Sequence, residues 1–162
     1  MAGASGIEIV SYRIGAIWGP LGRPSSPFMA VAPMVHAAVR GTAPDISGLY
    51  APPYAGTGSD LCYAKDCGRG IAQLTLAEQL NHRTYNVASG RLTTNGDIAG
   101  AITKIIPDAD IDLPAGRDPD GPDEDIYLDI SHIRQDTGYE PSFDAERAVA
   151  DYIGWLRAGN ER

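Results

Sequence analysis

Few residues in this 162-residue chain carry groups suited to chemistry, and they are scattered. His36, His82 and His132 share no metal-ligand spacing. Cys62 and Cys67 offer two thiol ligands with no second pair, so no metal site is expected, and both read as small buried thiols. No G-x-S-x-G nucleophile elbow and no P-loop occurs. Asp118, Asp120, Asp123, Glu124 and Asp125 crowd one loop, where a solvated acidic surface is favoured over a divalent cation site.

Short alternating elements must position these groups. Ile7 to Arg13, β-branched and apolar, reads as a buried strand, followed by a turn at Gly19 and Pro20. Pro27 to Arg40 reads as a helix with an apolar stripe of Phe28, Val31, Val35 and Val39, capped by Ser26 and stopped by Gly41. Residues 42–58 form a Pro/Gly/Tyr-rich loop, and Asp60 to Tyr63 a short strand. Ala64 to Leu80 reads as a helix with Ile71, Leu74 and Leu76 as core candidates. Asp66 stands in its first turn, where a carboxylate meets free N–H groups. Arg83 to Val87 reads as a strand running into a turn at Ser89 and Gly90 that side chains stabilise. Thr93 or Thr94 caps a helix reaching about Ile106, with Asp97 near its positive end. Short extended pieces are expected at Asp110–Leu113 and Tyr127–Ile130, and a short helix at Ser131–Thr137 closed by Gly138. Ser142 is expected to cap the last helix, with Ile153 and Leu156 in the core. The alternation indicates an α/β fold with a small irregular lobe.

The length suits one core and one domain, residues 1–162. A content of 43% hydrophobic and 21% charged residues is that of a soluble globular protein. The net charge of −8 argues against nucleic acid or an anionic membrane as partner, while leaving a phosphate ligand to local arginines. No apolar run is long enough to span a bilayer, and residues 1–6 lack the basic and apolar regions of a signal peptide. The two cysteines suit a reduced compartment, so a cytoplasmic location is expected.

Four segments, in order along the chain, carry a resemblance. They are Arg13-Ile-Gly-Ala-Ile-Trp-Gly-Pro20 after a strand; Asp60-Leu-Cys-Tyr-Ala-Lys-Asp66 with its continuation to Ala72; Tyr85-Asn-Val-Ala-Ser-Gly90; and Asp129-Ile-Ser-His, continuing to Gly138-Tyr-Glu-Pro141. Together they resemble the C-terminal, substrate-binding portion of an extended short-chain dehydrogenase/reductase, the NAD-dependent nucleotide-sugar epimerase/dehydratase family. The resemblance implies part of a Rossmann-type α/β fold, with a few strands of the parallel sheet plus a small substrate lobe. It implies an isomerase or oxidoreductase framework using NAD or NADP in the complete enzyme.

By the same resemblance, Gly15 and Ala16 fall where the backbone passes the cofactor and substrate. Ala16 and Ser59 stand at substrate-contact positions, and Arg117, in Leu113-Pro-Ala-Gly-Arg-Asp118, near a phosphate-binding Arg. Guanidinium forks suit diphosphate oxygens. Many nucleotide-sugar enzymes carry Asn in place of Ala16 and Arg in place of Ser59, so two polar substrate contacts are lost here.

The family's catalytic Tyr-x-x-x-Lys is absent: the lysines are Lys65 and Lys104, preceded at that spacing by Leu61 and Gly100. Its glycine turn is absent too: Gly3–Gly6 precedes a strand, and Gly19–Gly22 lacks the third glycine. No catalytic residue is therefore assigned, and no cofactor is expected for this chain alone. The function expected is that of a truncated or split enzyme in which this chain provides substrate walls. The alternative is a non-catalytic binding or partner subunit that reuses the lobe. Expected partners are a small molecule such as a nucleotide diphosphate sugar, and a second copy of the chain or a complementary N-terminal half.

Overall fold

The computed structural model describes residues 9–122, 124 and 126–160. The start of the expected first strand at Ile7, the pair Gly3 and Gly6, and Asp123 and Asp125 of the acidic loop lie outside the described residues. The chain forms β1 (Ser11–Ile14), β2 (Ala16–Trp18), α1 (Val31–Arg40), β3 (Gly58–Ser59), β4 (Leu61–Tyr63), α2 (Ala64–Leu76), β5 (Thr84–Val87), β6 (Thr93–Thr94), α3 (Asn95–Ile105), α4 (Ser131–Thr137) and α5 (Ala145–Arg157). The strands make three two-stranded ladders. β1 runs parallel to β5, with Ile14 opposite Val87; β2 runs parallel to β4, with Ala16 opposite Leu61; β3 pairs antiparallel with β6, with Ser59 opposite Thr93.

The core is in two parts. Met34 and Val35 of α1, Ile98 and Ile102 of α3, and Val149, Tyr152 and Ile153 of α5 close one cluster under β2 and β4. Cys62, Leu74, Tyr85, Val87, Ile133 and Tyr139 close the other, around β5. Within the second, a Cβ on Gly70 would lie 2.9 Å from Val87 Cγ1 and 3.0 Å from the Tyr139 ring, so a glycine is what lets α2 lie against that ring.

Local chemistry sets the helix ends. Thr94 and Asp97 form a reciprocal capping box on α3, and Asp144 accepts from the Arg147 N–H at the start of α5. Gly41 and Gly138 close α1 and α4 at φ +69° and +68°.

Several expected boundaries are corrected. α1 begins at Val31, not Pro27, because a longer helix would place the Pro33 ring against the carbonyl of Met29; in the first turn its missing N–H costs nothing. Phe28 therefore leaves the stripe and is 74% exposed, and Ser26 caps nothing. α2 ends at Leu76, which is 81% exposed: two residues beyond buried Leu74, it points to the far side of the helix. Asp110–Leu113 has no partner strand among the described residues, although Ile111 and Leu113 pack on the first cluster. Tyr127–Ile130 is no strand because side chains take its backbone groups: Leu128 N–H goes to Asp60 and Asp129 O accepts from Asn86. Ser142 yields the cap of α5 to Asp144, whose side chain accepts from the Arg147 N–H, and the Ser142 N–H is bound by Asp66 instead. Asp66 itself receives the backbone N–H groups of Ser142 and Phe143 and the Arg69 guanidinium, so it ties the C-terminal segment to α2.

Candidate functional site

The site forms where β1 and β2 part. Gly15 N–H donates to Val87 O at 3.1 Å, the last bond toward β5, and Ala16 N–H donates to Asp60 O at 2.9 Å, the first toward β4. A Cβ on Gly15 would lie 3.1 Å from Asp60 O and 3.2 Å from both Ala88 Cβ and Asp60 Oδ1. Glycine is needed there because three chain segments meet within van der Waals distance. In parallel α/β sheets such a parting of neighbouring strands is where ligands bind.

Asp60 fills the gap. It is 4% exposed, and its Oδ1 accepts from Ser89 N–H (2.7 Å) and Ser89 Oγ (2.6 Å), while Oδ2 accepts from Gly90 N–H (3.1 Å) and Leu128 N–H (3.1 Å). A carboxylate taken from water needs such donors. Gly90, at φ +68°, packs on Ile130, where a Cβ would lie 2.8 Å from Cδ1. One side chain thus fixes the start of β4, the turn after β5 and the segment leading to α4.

On the other side of Asp60, Ser59 of β3 lines a cavity of about 210 Å³, together with Phe28, Met29, Leu49, Pro53, Thr57 and Asn95 among others. Phe28 stacks edge to face with Tyr50, ring centroids 5.3 Å apart, and Tyr50 is held by its N–H bond to Pro27 O at 2.9 Å. The Arg117 loop lies behind this wall. Ala55 N–H donates to Pro114 O at 2.8 Å, Gly56 N–H to Gly116 O at 2.6 Å, and Asp118 N–H to Thr57 Oγ1 at 3.1 Å. Arg117 is exposed and donates to Pro122 O at 3.4 Å.

Of the residues singled out in the sequence, Gly15, Ala16 and Ser59 are joined through Asp60, and Arg117 is joined to them through Thr57. Ser59 alone among the four lines the cavity. Asp60 was visible in the sequence only as the first residue of a motif. The sign available was a carboxylate directly before an apolar strand, a position buried unless the chain turns away. Phe28, expected in the core, stands at the cavity mouth.

The buried reactive groups are held out of chemistry. Burial pushes the Cys62 thiol up to about 12 and raises Cys67 as well. Burial, then the hydrogen bond to Asp151, raises Tyr63, whose hydroxyl donates to that carboxylate at 2.5 Å; burial also raises Tyr139. Neither phenol is poised as a base. Among the described residues no three or more His, Cys, Asp or Glu side chains gather to hold a metal.

A dinucleotide pyrophosphate needs backbone amides presented by a glycine turn between a strand and a helix. At Gly19, φ +128°, a Cβ would lie 2.7 Å from the Tyr63 ring, and Gly22 N–H turns back to Gly19 O at 3.0 Å. No helix begins until Val31. Gly19 and Gly22 therefore serve packing, and this turn does not present its amides to a pyrophosphate.

No protein-family profile matches the sequence, and no curated protein is similar to it by sequence. In three dimensions the chain is similar to UDP-glucose 4-epimerase of Thermotoga maritima, solved with UDP-glucose: TM-score 0.73 at 18% identity, over 99% of this chain and 49% of that one. The Bordetella bronchiseptica enzyme WbmF, solved with NAD+ and UDP, gives 0.73 at 17% identity, over 98% and 48%. The dTDP-glucose 4,6-dehydratase of Bacillus anthracis, solved with NAD, gives 0.67 at 15% identity, over 97% and 47%. The chain spans about half the length of the solved chains it matches. Its fold is that of the corresponding part of a Rossmann-type epimerase/dehydratase. No helix among the described residues is long and apolar enough to cross a membrane.

Proposed function

We propose that this chain is the substrate-binding part of an NAD-dependent epimerase/dehydratase acting on a nucleotide-sugar-like molecule, and that it supplies walls rather than the reacting groups. One observation carries the reading: nearly the whole chain superposes on about half of several such enzymes, and Gly15, Asp60 and Ser59 meet where its strands part. In the complete enzyme bound NAD would supply the acceptor for a hydride from the carbon that bears a substrate hydroxyl, the hydroxyl losing its proton, and the hydride would be returned after epimerisation or elimination. This chain's residues then orient and enclose. Ser59 lines the cavity, Gly15 and Ala16 let the backbone approach where the strands part, and Arg117, in the loop behind the wall, offers an exposed guanidinium for a phosphate oxygen. The reading places the protein in the cytoplasm, with a dinucleotide-binding half as its partner.

The second reading is a non-catalytic binding or partner subunit that reuses the lobe. The coding DNA just upstream separates the two: an in-frame glycine turn and Tyr-x-x-x-Lys there support the enzyme. The binding test is calorimetric titration of UDP-glucose into the chain and into Arg117→Ala. An exposed Arg contact is worth up to about 1 kcal/mol, so the variant should bind up to about fivefold more weakly. Unchanged binding removes Arg117 from the site, and no binding by either protein refutes the reading.

A further inference from the structure

One face of the β1–β5 ladder carries polar side chains that the substrate reading leaves unused. Arg13 stands opposite Asn86 in the parallel register, and Thr84 precedes Asn86 by two residues, so the three share that face. With Asp129 and His132 they line a cavity of about 130 Å³. That is below the roughly 300–1,000 Å³ of a site for a drug-sized ligand, and suits one small ion. Its walls offer donors. Arg13 is exposed, and its guanidinium makes no hydrogen bond or ion pair among the described residues. Thr84 brings a hydroxyl, and Asn86 Nδ2 gives one hydrogen to Asp129 O at 2.6 Å and keeps the other. The Asp129 carboxylate is turned to Ser131, accepting from its N–H at 2.9 Å and its Oγ at 3.0 Å, and these bonds hold its carboxyl below the usual carboxylate range.

His132 decides the sign of the site. Its ring lies face to face with that of His82, centroids 3.6 Å apart and planes 1° apart, and this contact fixes its orientation. His82, with Arg83 next in the chain, faces it from the segment before β5, Arg13 from β1, and Asp129 from just ahead of α4. On its own helix Arg134 is bound to Glu140, and Asp136 to Asn81 and Tyr85. With His132 neutral, the charges of Arg13 and Asp129 cancel. With His132 protonated, the cavity is positive on a chain whose net charge is −8.

We propose that this cavity binds a small dianionic oxyanion of the sulfate or phosphate class, and that it does so when His132 carries a proton. The Arg13 fork takes two oxygens, Thr84 and Asn86 donate to the others, and the imidazolium completes the charge. Two imidazolium rings at 3.6 Å repel, so the bound anion draws the proton onto His132 rather than His82. The site stands independently of the substrate-binding reading.

Titration of sodium sulfate into the full chain at about pH 5.5 and about pH 8, in about 20 mM NaCl, followed by the imidazole proton resonances, tests this. Sulfate keeps the same charge at both values, so any gate belongs to the protein. One exposed charged contact is worth up to about fivefold in affinity. Saturation in the millimolar range at the lower pH, and binding about fivefold weaker at the higher, is expected. By linkage, sulfate should raise the proton affinity of His132 by the same factor, while the His36 signal, from a ring bonded to Tyr152 in the core, stays in place. Arg13→Gln should weaken sulfate about fivefold at the lower pH, and His132→Gln should remove the pH dependence. Both residues are exposed, so melting temperatures should not change. Equal affinity at the two pH values, no saturation up to about 100 mM, or binding unaltered by Arg13→Gln overturns the proposal.

Discussion

Replacing Asp60 with Asn tests the organisation of the site. The amide keeps one oxygen for the Ser89 N–H and Oγ, at 2.7 and 2.6 Å in the native chain. Its NH2 then faces the N–H groups of Gly90 and Leu128, which have lost their acceptor. An orphaned donor costs about 1–3 kcal/mol. Gly90 and Leu128 are half-buried, so water relieves part of this, and a loss of about 2–4 kcal/mol is expected. Against a stability of about 5–15 kcal/mol that is a large fraction. With a urea slope of about 2 kcal/mol/M, the midpoint should fall by about 1–2 M. Asp108→Asn, on an exposed loop, serves as the control and should shift it by less than about 0.3 M. If Asp60→Asn unfolds at the same urea concentration as the control, Asp60 does not hold β4, the 88–90 turn and Leu128 together, and the site as described is wrong.

Other outcomes follow from particular contacts. β1 pairs on one side only among the described residues, and Ile9 and Ile14 are 61% and 41% exposed, so light scattering on dilution should show self-association of the isolated chain; a compact monomer at every concentration refutes this. Gly90→Ala should destabilise by about 1–3 kcal/mol in thermal melts, since φ is +68° and a Cβ would strike Ile130. Hydrogen bonds from Tyr85 and then Asn81 hold the Asp136 carboxyl at about 2, below the usual value of about 4. Its folded pKa is depressed, so its contribution is complete above about pH 4 and is lost as pH falls toward 2; Asp136→Asn should flatten the melting temperature over that window. Cys62 and Cys67 should resist a thiol reagent in the native chain and react on denaturation, because both are buried and their pKa values are raised; rapid native labelling contradicts their placement.

The fold was legible where local chemistry and packing agree. Thr94 with Asp97, and Gly41 and Gly138 after their helices, mark ends that the structure keeps. β1 pairs in parallel with the strand ending at Val87, in keeping with the parallel sheet that the family resemblance implied. Legibility failed where tertiary bonds decide. Tyr127–Ile130 has the composition of a strand, but Asp60 and Asn86 take its backbone groups, and both lie far away in sequence. Phe28 satisfied an apolar period and lost its place to the steric demand of Pro33. Gly15 and Ser59 stand in or beside motifs that the sequence displays. The four donors on Asp60 were not legible, because they come from two distant turns.

The central claim is that this chain seats a substrate and does not by itself seat the dinucleotide. Calorimetric titration of one preparation with UDP-glucose and, separately, with NAD tests both halves of it. Saturable UDP-glucose binding, with no NAD binding at concentrations up to about 1 mM, is the predicted result. Saturable NAD binding in the micromolar range, or a flat UDP-glucose titration, contradicts the account.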